Sequence, residues 1–249
     1  MEKGQFTFVE ISSQTAAWLS ALREVESKKI DFSKIISEKY QEIIFTGCGS
    51  TYYLSLAAAS LFQSQTGLIC KAAPAGELLM NPGTIFTRGN NLLFAISRSG
   101  STSETVQAVT KFKDDYGGKV VSITNCDNQP LTELSDLTFI ITDGQEESIA
   151  QTKAFSSMYI TATAAAMIAS KRADLFEEMY KLPSFGQDLI NKYSEFIKEI
   201  GENMDFDRFY FLGSGHRYGL ACEANLKMKE MSQTHTEPLH FLEFRHGPK

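Results

Sequence analysis

A loop rich in serine and threonine, residues 97–102 (Ser-Arg-Ser-Gly-Ser-Thr, hereafter the serine loop), could bind a phosphate group. It follows a strand-like apolar run, residues 91–96, and precedes a helical pattern over residues 103–116. The unpaired N–H groups and the dipole of a helix N-terminus favour an anion there. Gly100 allows a tight turn and a close approach of the backbone. Ser and Thr also cap ordinary helices, but the strand, paired serines, glycine and helix together favour a phosphate site.

Three charged residues near the end of the chain could carry out proton transfer. Glu223, Lys227 and Glu230 occupy positions i, i+4 and i+7 of a predicted helix, so they share one face. Such a pattern alone is most often a solvated ladder of salt bridges. His246, which lies in a His-Gly-Pro turn downstream, adds a second acid–base group. A helix face with two carboxylates and a lysine, together with this histidine, therefore favours a catalytic interpretation.

The segments that must position these residues alternate between strand and helix. Apolar runs predict five strands, at residues 42–46, 68–72, 92–96, 119–124 and 137–142. Helical patterns lie between and after them, at residues 51–65, 76–80, 103–116 and 152–170. Strands that alternate with helices imply right-handed crossovers and a parallel sheet covered on both faces, which is an α/β fold. Ligands bind outside the carboxyl ends of such strands, where the serine loop lies.

The chain is predicted to contain two related units. Residues 45–52 and 211–218 match at the phenylalanine, both glycines and the tyrosine, and each copy reads as a strand, a glycine turn and a helix. A dinucleotide fingerprint would need a third glycine where both copies have tyrosine, which argues against a nicotinamide site. We therefore expect N-terminal helices at residues 1–40, a first domain at 41–172, a helical connector at 173–204 and the start of a truncated second domain at 205–249. The pattern predicts one strand, one helix and a loop in that second domain, and a helix break near Pro183 in the connector.

Composition and charge argue against several classes of function. The 249 residues carry a formal net charge of −6 and no Lys- or Arg-rich block, so a general nucleic-acid surface is not expected. The longest apolar stretch, residues 159–169, is too short to span a bilayer, and the polar start does not resemble a signal peptide. Four widely spaced cysteines without a C-x-x-C motif favour reduced thiols in a cytoplasmic protein. The four histidines lack a metal-ligand spacing, so no metal is expected.

Five motifs together resemble the SIS (sugar isomerase) domain family. They are residues 47–51 (Gly-Cys-Gly-Ser-Thr), the serine loop, residues 152–155 (Thr-Lys-Ala-Phe), residues 223–230 and residues 244–249 (Phe-Arg-His-Gly-Pro-Lys). The chain looks most like ketose/aldose isomerases and amino-sugar-phosphate deaminase/isomerases of the tagatose-6-phosphate isomerase type, and it is similar to the isomerase half of glucosamine-6-phosphate synthase. The resemblance implies a flavodoxin-like three-layer sandwich, duplicated in tandem, with the second copy incomplete in this chain.

The resemblance implies a phosphate site formed by six residues: Ser50, Thr51, Ser97, Arg98, Ser99 and Thr102. Arg98 stands where the synthase has glutamine, and an arginine there would add a charge-assisted contact to the phosphate. Two further residues, Gly49 and Gln151, are implied to contact the substrate. The synthase has a serine at the position of Gln151, so this wall of the site is expected to differ.

The resemblance also implies roles for the charged residues. Glu230 matches the carboxylate that moves a proton between C1 and C2, Lys227 a lysine near the developing enediolate, and Glu223 a supporting carboxylate. His246 matches the histidine that opens the sugar ring, which in the synthase comes from the neighbouring subunit. We therefore expect a homodimer with sites at the interface and no cofactor. Whatever the family, aldose–ketose interconversion needs a base near both carbons, a cation for the enediolate charge and a phosphate anchor.

The expected function is interconversion of aldose and ketose 6-phosphates, with or without loss of an amino group, in amino-sugar metabolism. Two alternatives stay open. A deglycase acting on fructosamine 6-phosphates would reuse the same acid–base residues with an amine leaving. A sugar-phosphate sensor would keep the serine loop without needing Glu230 or His246, whose joint presence favours catalysis. No cysteine follows Met1, so glutamine-dependent synthesis is not expected, and no counterpart of the family's lysine-bearing C-terminal segment precedes Lys249.

Overall fold

The computed structural model describes residues 4–248, and its first unit is built on a sheet of five parallel strands. These strands are β1 (Glu42–Gly47), β2 (Cys70–Pro74), β3 (Asn91–Ile96), β4 (Lys119–Thr124) and β5 (Leu137–Ile140), in the spatial order β2-β1-β3-β4-β5. Every residue of β1 and β3 is buried, as expected for central strands covered on both faces. Phe45 and Phe94 are partners in this register, and their rings stack with centroids 4.5 Å apart.

Helices cover both faces of the sheet. In the first unit and the connector they are α1 (Gln5–Ser27), α2 (Lys29–Ile36), α3 (Ser50–Thr66), α4 (Ala75–Met80), α5 (Pro82–Ile85), α6 (Ser103–Asp115), α7 (Pro130–Leu134), α8 (Lys153–Ala169), α9 (Ala173–Glu178) and α10 (Leu182–Glu202). Alternate strand residues face opposite layers, so Phe45 packs with Leu22 of α1 and Phe62 of α3. Ile44 packs in the other layer with Phe112 of α6. This arrangement confirms the predicted α/β sandwich.

Several element boundaries differ from the predicted ones. Strand β2 begins at Cys70 rather than at residue 68, and β5 ends at Ile140, where a short 3-10 turn, Thr142–Gly144, follows. The connector is interrupted by a second 3-10 turn, Met179–Lys181, which lies before Pro183. Pro183 itself lies in the first turn of α10, where the N–H that proline lacks would have no partner within the helix.

The second unit contains β6 (Arg208–Gly213), α11 (His216–Ser232) and β7 (His235–His240), and the two strands pair in parallel. The prediction of a single strand here was wrong. Strand β7 contains Pro238, and a proline argues against a strand at the sequence level. In the structure, however, Pro238 is the register partner of Phe211. The two glycine turns adopt the same left-handed backbone, with φ of +56° at Gly49 and +57° at Gly215, in accord with the predicted duplication.

Helix α11 packs closely against α3, and Gly219 makes this possible. A Cβ atom at Gly219 would lie 2.5 Å from the amide nitrogen of Ala57 and 2.6 Å from the carbonyl oxygen of Tyr53. The two backbones therefore approach more closely than any larger residue would allow. This contact brings the charged face of α11 to the start of α3. Within residues 4–248, no helix has both the length and the apolar character needed to cross a membrane.

Candidate functional site

The serine loop is held in shape by its own hydroxyl groups. Gly100 adopts a φ of +67°, and its N–H donates to the Ser97 hydroxyl oxygen at 3.1 Å. The hydroxyl groups of Ser97 and Thr102 lie 2.9 Å apart, and the N–H of Ser101 donates to the Ser99 hydroxyl oxygen at 3.2 Å. The loop thus enters α6 as a fixed turn directly after β3.

The N-terminus of α6 has the features of an anion site. Thr102 is the N-cap residue, but its side chain makes no capping hydrogen bond to the helix. The first N–H groups of a helix have no partner within the helix, and the dipole there favours negative charge. A phosphate at this position would accept hydrogen bonds from these N–H groups and from the hydroxyl groups of the serine loop.

Thr51 lies at the start of α3, and its hydroxyl group is hydrogen-bonded within the preceding glycine turn. The Thr51 hydroxyl accepts the N–H of Cys48 at 2.9 Å and donates to the Cys48 carbonyl oxygen at 3.0 Å. Thr51 is buried, and Gly49 gives the turn its left-handed backbone. The hydroxyl therefore stabilises the turn in this structure, and the phosphate contact of Thr51 remains a prediction.

Lys227 is the centre of a polar cluster that includes Ser50, Glu223 and Glu230, hereafter the Lys227 cluster. Its ammonium nitrogen lies 2.5 Å from Glu230 Oε2 and 3.3 Å from Glu223 Oε1. It also donates to the Ser50 hydroxyl oxygen at 3.1 Å, across the junction of α11 with α3. The three charged side chains therefore share one helix face, as their spacing predicted.

Glu223 has an unusual environment in this cluster. The residue is only 5% exposed, and within residues 4–248 neither carboxylate oxygen accepts a well-aligned hydrogen bond. Burial raises the pKa of Glu223 to about 7, because removal from water outweighs the attraction of the nearby Lys227 charge. Near neutral pH this carboxyl can exist either with or without its proton.

Glu230 is more accessible and lines a cavity of about 640 Å³, hereafter the Glu230 cavity. The cavity lies between α11, the start of α1 and the loop that precedes α8. The other residues lining it are Gly4, Gln5, Phe6, Thr7, Glu147, Ser148, Ile149 and Ala150. We call residues 147–150 the wall segment. A substrate of sugar size could therefore reach the Glu230 carboxylate from this cavity.

Arg98 projects from the serine loop toward the wall segment. Its Nη1 donates to the carbonyl oxygens of Ser148 at 3.1 Å and Ile149 at 3.2 Å. The same nitrogen lies 3.3 Å from Glu146 Oε1. Arg98 therefore connects the serine loop to one wall of the Glu230 cavity, a contact that its position in the sequence does not reveal.

Gln151 and His246 were also predicted to belong to the site. Gln151 follows the wall segment, and its Oε1 is buried without a hydrogen-bond partner in the described part of the chain. His246 is exposed at the end of a 3-10 turn, Glu243–His246, after β7. Among the hydrogen bonds within residues 4–248, none joins His246 to the Lys227 cluster.

Two glutamates with buried side chains near the cavity were missed by sequence reasoning. Glu146 accepts the N–H groups of Thr152 and Ala154, so it caps the start of α8. Glu10, on α1, accepts the N–H groups of Glu147 and Ser148. Glu146 precedes the N-cap residue Thr152 by six positions, outside the local capping motifs, so no local signal distinguishes either residue from a surface glutamate.

This geometry places two groups of functional side chains, the serine loop and the Lys227 cluster, on the same part of the molecule. The serine loop offers N–H and hydroxyl donors, and the Lys227 cluster offers a cation between two carboxylates of different exposure. Within residues 4–248, no three His, Cys, Asp or Glu side chains are grouped so that they could hold a metal ion. The arrangement can bind a phosphate ester and move a proton next to a carbonyl group.

Comparison with known proteins gives the family of this fold. The SIS domain family matches residues 34–168. The glutamine–fructose-6-phosphate aminotransferase (isomerizing) of Haemophilus influenzae is 31% identical over 226 residues, which cover 87% of this chain and 37% of that protein. The Vibrio cholerae protein of the same name is 29% identical over 234 residues, which cover 90% of this chain and 38% of that protein. The chain thus spans less than half the length of these relatives.

Solved structures show the same architecture. The C-terminal domain of glucosamine-fructose-6-phosphate aminotransferase from Francisella tularensis matches with a TM-score of 0.85 and 25% identity, covering 100% of this chain and 74% of that one. A glucosamine-6-phosphate deaminase from Thermotoga maritima matches with a TM-score of 0.72 and 28% identity. The match covers 92% of this chain and 72% of that one. The tagatose-6-phosphate ketose/aldose isomerase of Escherichia coli has the same fold, with a TM-score of 0.86, 23% identity and coverage of 98% and 69%.

Proposed function

This chain belongs to the SIS domain family, and we propose that it is a phosphosugar isomerase that interconverts aldose and ketose 6-phosphates through an enediol. The observation that carries the proposal is the Lys227 cluster. Its lysine lies within 3.3 Å of two carboxylates, one of which lines a cavity large enough to admit a sugar phosphate. A solvated salt-bridge ladder would not place Glu223 in a buried position.

Substrate binding in this proposal starts at the serine loop. The 6-phosphate accepts hydrogen bonds from the N-terminus of α6 and from the hydroxyls of Ser97, Ser99 and Thr102. This anchor lies away from the reacting carbons, so its binding energy can hold C1 and C2 beside Glu230. Ring opening is assigned to His246 of the partner subunit, which accounts for its separation from the Lys227 cluster and implies a homodimer.

Proton transfer then follows from the charges in the Lys227 cluster. The Glu230 carboxylate removes the proton from the carbon next to the carbonyl, and the electron pair moves onto the carbonyl oxygen to give the enediolate. The Lys227 ammonium group stabilises that negative charge. Glu230 returns the proton to the neighbouring carbon, which completes the interconversion without a net change in redox state. The hydroxyl proton of the enediol moves between the two sugar oxygens, and Glu223, which lies 3.3 Å from Lys227, supports the position of that ammonium group.

Loss of a 2-amino group is a second candidate reaction. The Thermotoga maritima structure named as a glucosamine-6-phosphate deaminase is among the solved structures similar to this chain, at 28% identity. Deamination would use the same proton transfer to give an imine at C2; water then adds to C2, the C–N bond breaks, and ammonia leaves as the C2 ketone forms. The same site would serve a deglycase if a larger amine were the leaving group.

A proton NMR time course in deuterated water tests the proposal and separates these reactions. The full-length natural protein would be mixed in turn with the 6-phosphates of fructose, tagatose, glucosamine and galactosamine. Entry of deuterium at C1 or C2 would establish the enediol step and identify the substrate, and release of ammonia would identify deamination. Binding of a sugar phosphate with no deuterium entry for any sugar would refute the isomerase and favour a sensor.

A further inference from the structure

Glu10 is a buried carboxylate that lies outside the Lys227 cluster and has no assigned role. It is 5% exposed, on the second turn of α1. Its Oε1 accepts the N–H of Glu147 at 2.6 Å and the N–H of Ser148 at 3.2 Å. A carboxylate withdrawn from water is costly unless it is hydrogen-bonded, so these two bonds hold the wall segment to α1.

A second contact supports the same connection. The hydroxyl of Thr7, about one helical turn before Glu10, lies 2.9 Å from the hydroxyl of Ser148. Thr7 and Ser148 both line the Glu230 cavity. The start of α1 therefore both forms part of the cavity and fixes the backbone of the segment beside it.

The opposite side of the wall segment is held by the serine loop. Arg98 donates to the carbonyl oxygens of Ser148 and Ile149, as described above. Ser148 is thus fixed through its N–H by Glu10 and through its carbonyl oxygen by Arg98. A segment held from both sides has one position relative to Glu230, and a shift of about 1 Å at such a wall can reduce a rate about 100-fold.

We propose that Glu10 is a positioning residue for the reaction at Glu230. By accepting the N–H groups of Glu147 and Ser148, it fixes the wall of the cavity against which the C1–C2 end of the sugar is oriented. This inference rests on the proposed isomerase function. It gives the N-terminal helix a part in substrate orientation in addition to packing.

The test compares three variants of the full-length protein. Glu10→Ala removes the acceptor, whereas Glu10→Gln keeps a carbonyl oxygen in its place. Since Oε2 of Glu10 has no hydrogen-bond partner within residues 4–248, the amide NH2 of glutamine breaks no contact. Glu24→Ala is the matched control, because Glu24 lies on the same helix and accepts the N–H of Ile140 at 2.8 Å, in the sheet rather than at the cavity.

Hydrogen exchange and kinetics are measured on all three, with fructose 6-phosphate in deuterated water as the first probe. We expect Glu10→Ala to speed amide exchange in residues 147–150 at least tenfold and to lower kcat/KM about 30-fold. Glu10→Gln should restore kcat/KM to within about threefold of the original protein. Glu24→Ala should lower the thermal midpoint and leave kcat/KM within about twofold.

Two results would overturn the positioning role. One is unchanged kcat/KM in Glu10→Ala despite faster exchange in the wall segment, and the other is an equal loss in Glu24→Ala. If the original protein turned over none of the four sugars, the proposed function would fail instead. Fructose 6-phosphate affinity would then replace kcat/KM as the readout, and unchanged affinity in Glu10→Ala would reject the role of Glu10.

Discussion

Lys227 donates a hydrogen bond of 3.1 Å to the hydroxyl oxygen of Ser50, although 177 residues separate them in the chain. Ser50 is the first residue of α3, and Lys227 lies in the middle of α11. The bond therefore joins the first glycine turn to the charged face of the second unit. It helps to keep the ammonium group of Lys227 between Glu223 and Glu230, beside the proposed base.

Replacing the proposed base should abolish proton exchange without unfolding the protein. Glu230→Gln keeps the size of the side chain, and position 230 is exposed, so we expect little change in thermal midpoint. Deuterium entry into the sugar should fall about 1,000-fold, because general-base catalysis contributes on the order of 100- to 10,000-fold. NMR rates would measure this, with Glu195→Gln on the exposed face of α10 as the control. Full activity of Glu230→Gln would rule out Glu230 as the base.

Gly100→Ala should damage both the serine loop and the stability of the protein. The φ of Gly100 is +67°, and an added Cβ atom would lie 2.7 Å from Cβ of Gln129. The left-handed backbone and the steric clash together should lower the free energy of unfolding by about 3 kcal/mol. We also expect at least tenfold weaker binding of inorganic phosphate, measured by calorimetry below the unfolding temperature.

Gly201→Ala is the matched control for that substitution. Gly201 lies in α10, and a methyl group added there would meet no atom within 4 Å outside its own stretch of helix. Alanine at this position should therefore raise the free energy of unfolding by up to about 1 kcal/mol. It should leave phosphate binding unchanged. Equal phosphate affinity in Gly100→Ala and Gly201→Ala would argue against an anion site at the serine loop.

The burial of Glu223 predicts a specific dependence of stability on pH. Its pKa is about 7 in the folded protein and 4.5 ordinarily, so between these values the folded state keeps a proton that the unfolded chain loses. The free energy of unfolding should therefore fall as pH rises through this window, by roughly 3 kcal/mol for this one group. Glu223→Gln cannot titrate, and its free energy of unfolding should fall less over the same range. Urea denaturation at pH 5 and pH 8 would show this, and identical pH dependence in the two proteins would contradict the raised pKa.

Arg98→Gln tests the connection between the serine loop and the wall segment. Loss of the guanidinium group removes its bonds to the carbonyl oxygens of Ser148 and Ile149, so amide exchange in residues 147–150 should increase several-fold. If Arg98 also contacts the phosphate, the affinity for inorganic phosphate should fall about tenfold, or about 1.4 kcal/mol. We expect both changes. Arg172→Gln, at an exposed ion pair with Asp174, is the control and should produce neither. Unchanged phosphate affinity in Arg98→Gln would leave Arg98 with a purely structural role.

The alternating α/β architecture was predictable because each element carries its own local pattern. The apolar runs of β1 and β3 indicate strands buried on both faces, and the structure shows every residue of both strands buried. Strand β7 was not predicted, because Pro238 and two histidines give it no recognisable strand pattern. Its pairing with β6 stabilises it. The prediction of a helix break near Pro183 is confirmed, because the 3-10 turn Met179–Lys181 directly precedes the first turn of α10, where Pro183 lies.

Which residues share a helix face or a turn follows from the amino-acid sequence alone, because those relationships depend on spacings of a few residues. The face formed by Glu223, Lys227 and Glu230 follows from the helical repeat. Which distant groups meet depends instead on the packing of the folded chain, as in the contacts of Lys227 with Ser50 and of Glu10 with the wall segment. The burial of Glu223, and with it the raised pKa of this carboxyl, also arises from that packing. These properties depend on how α11 and α1 pack against the first unit, and packing is the sum of many weak contacts that no local spacing encodes.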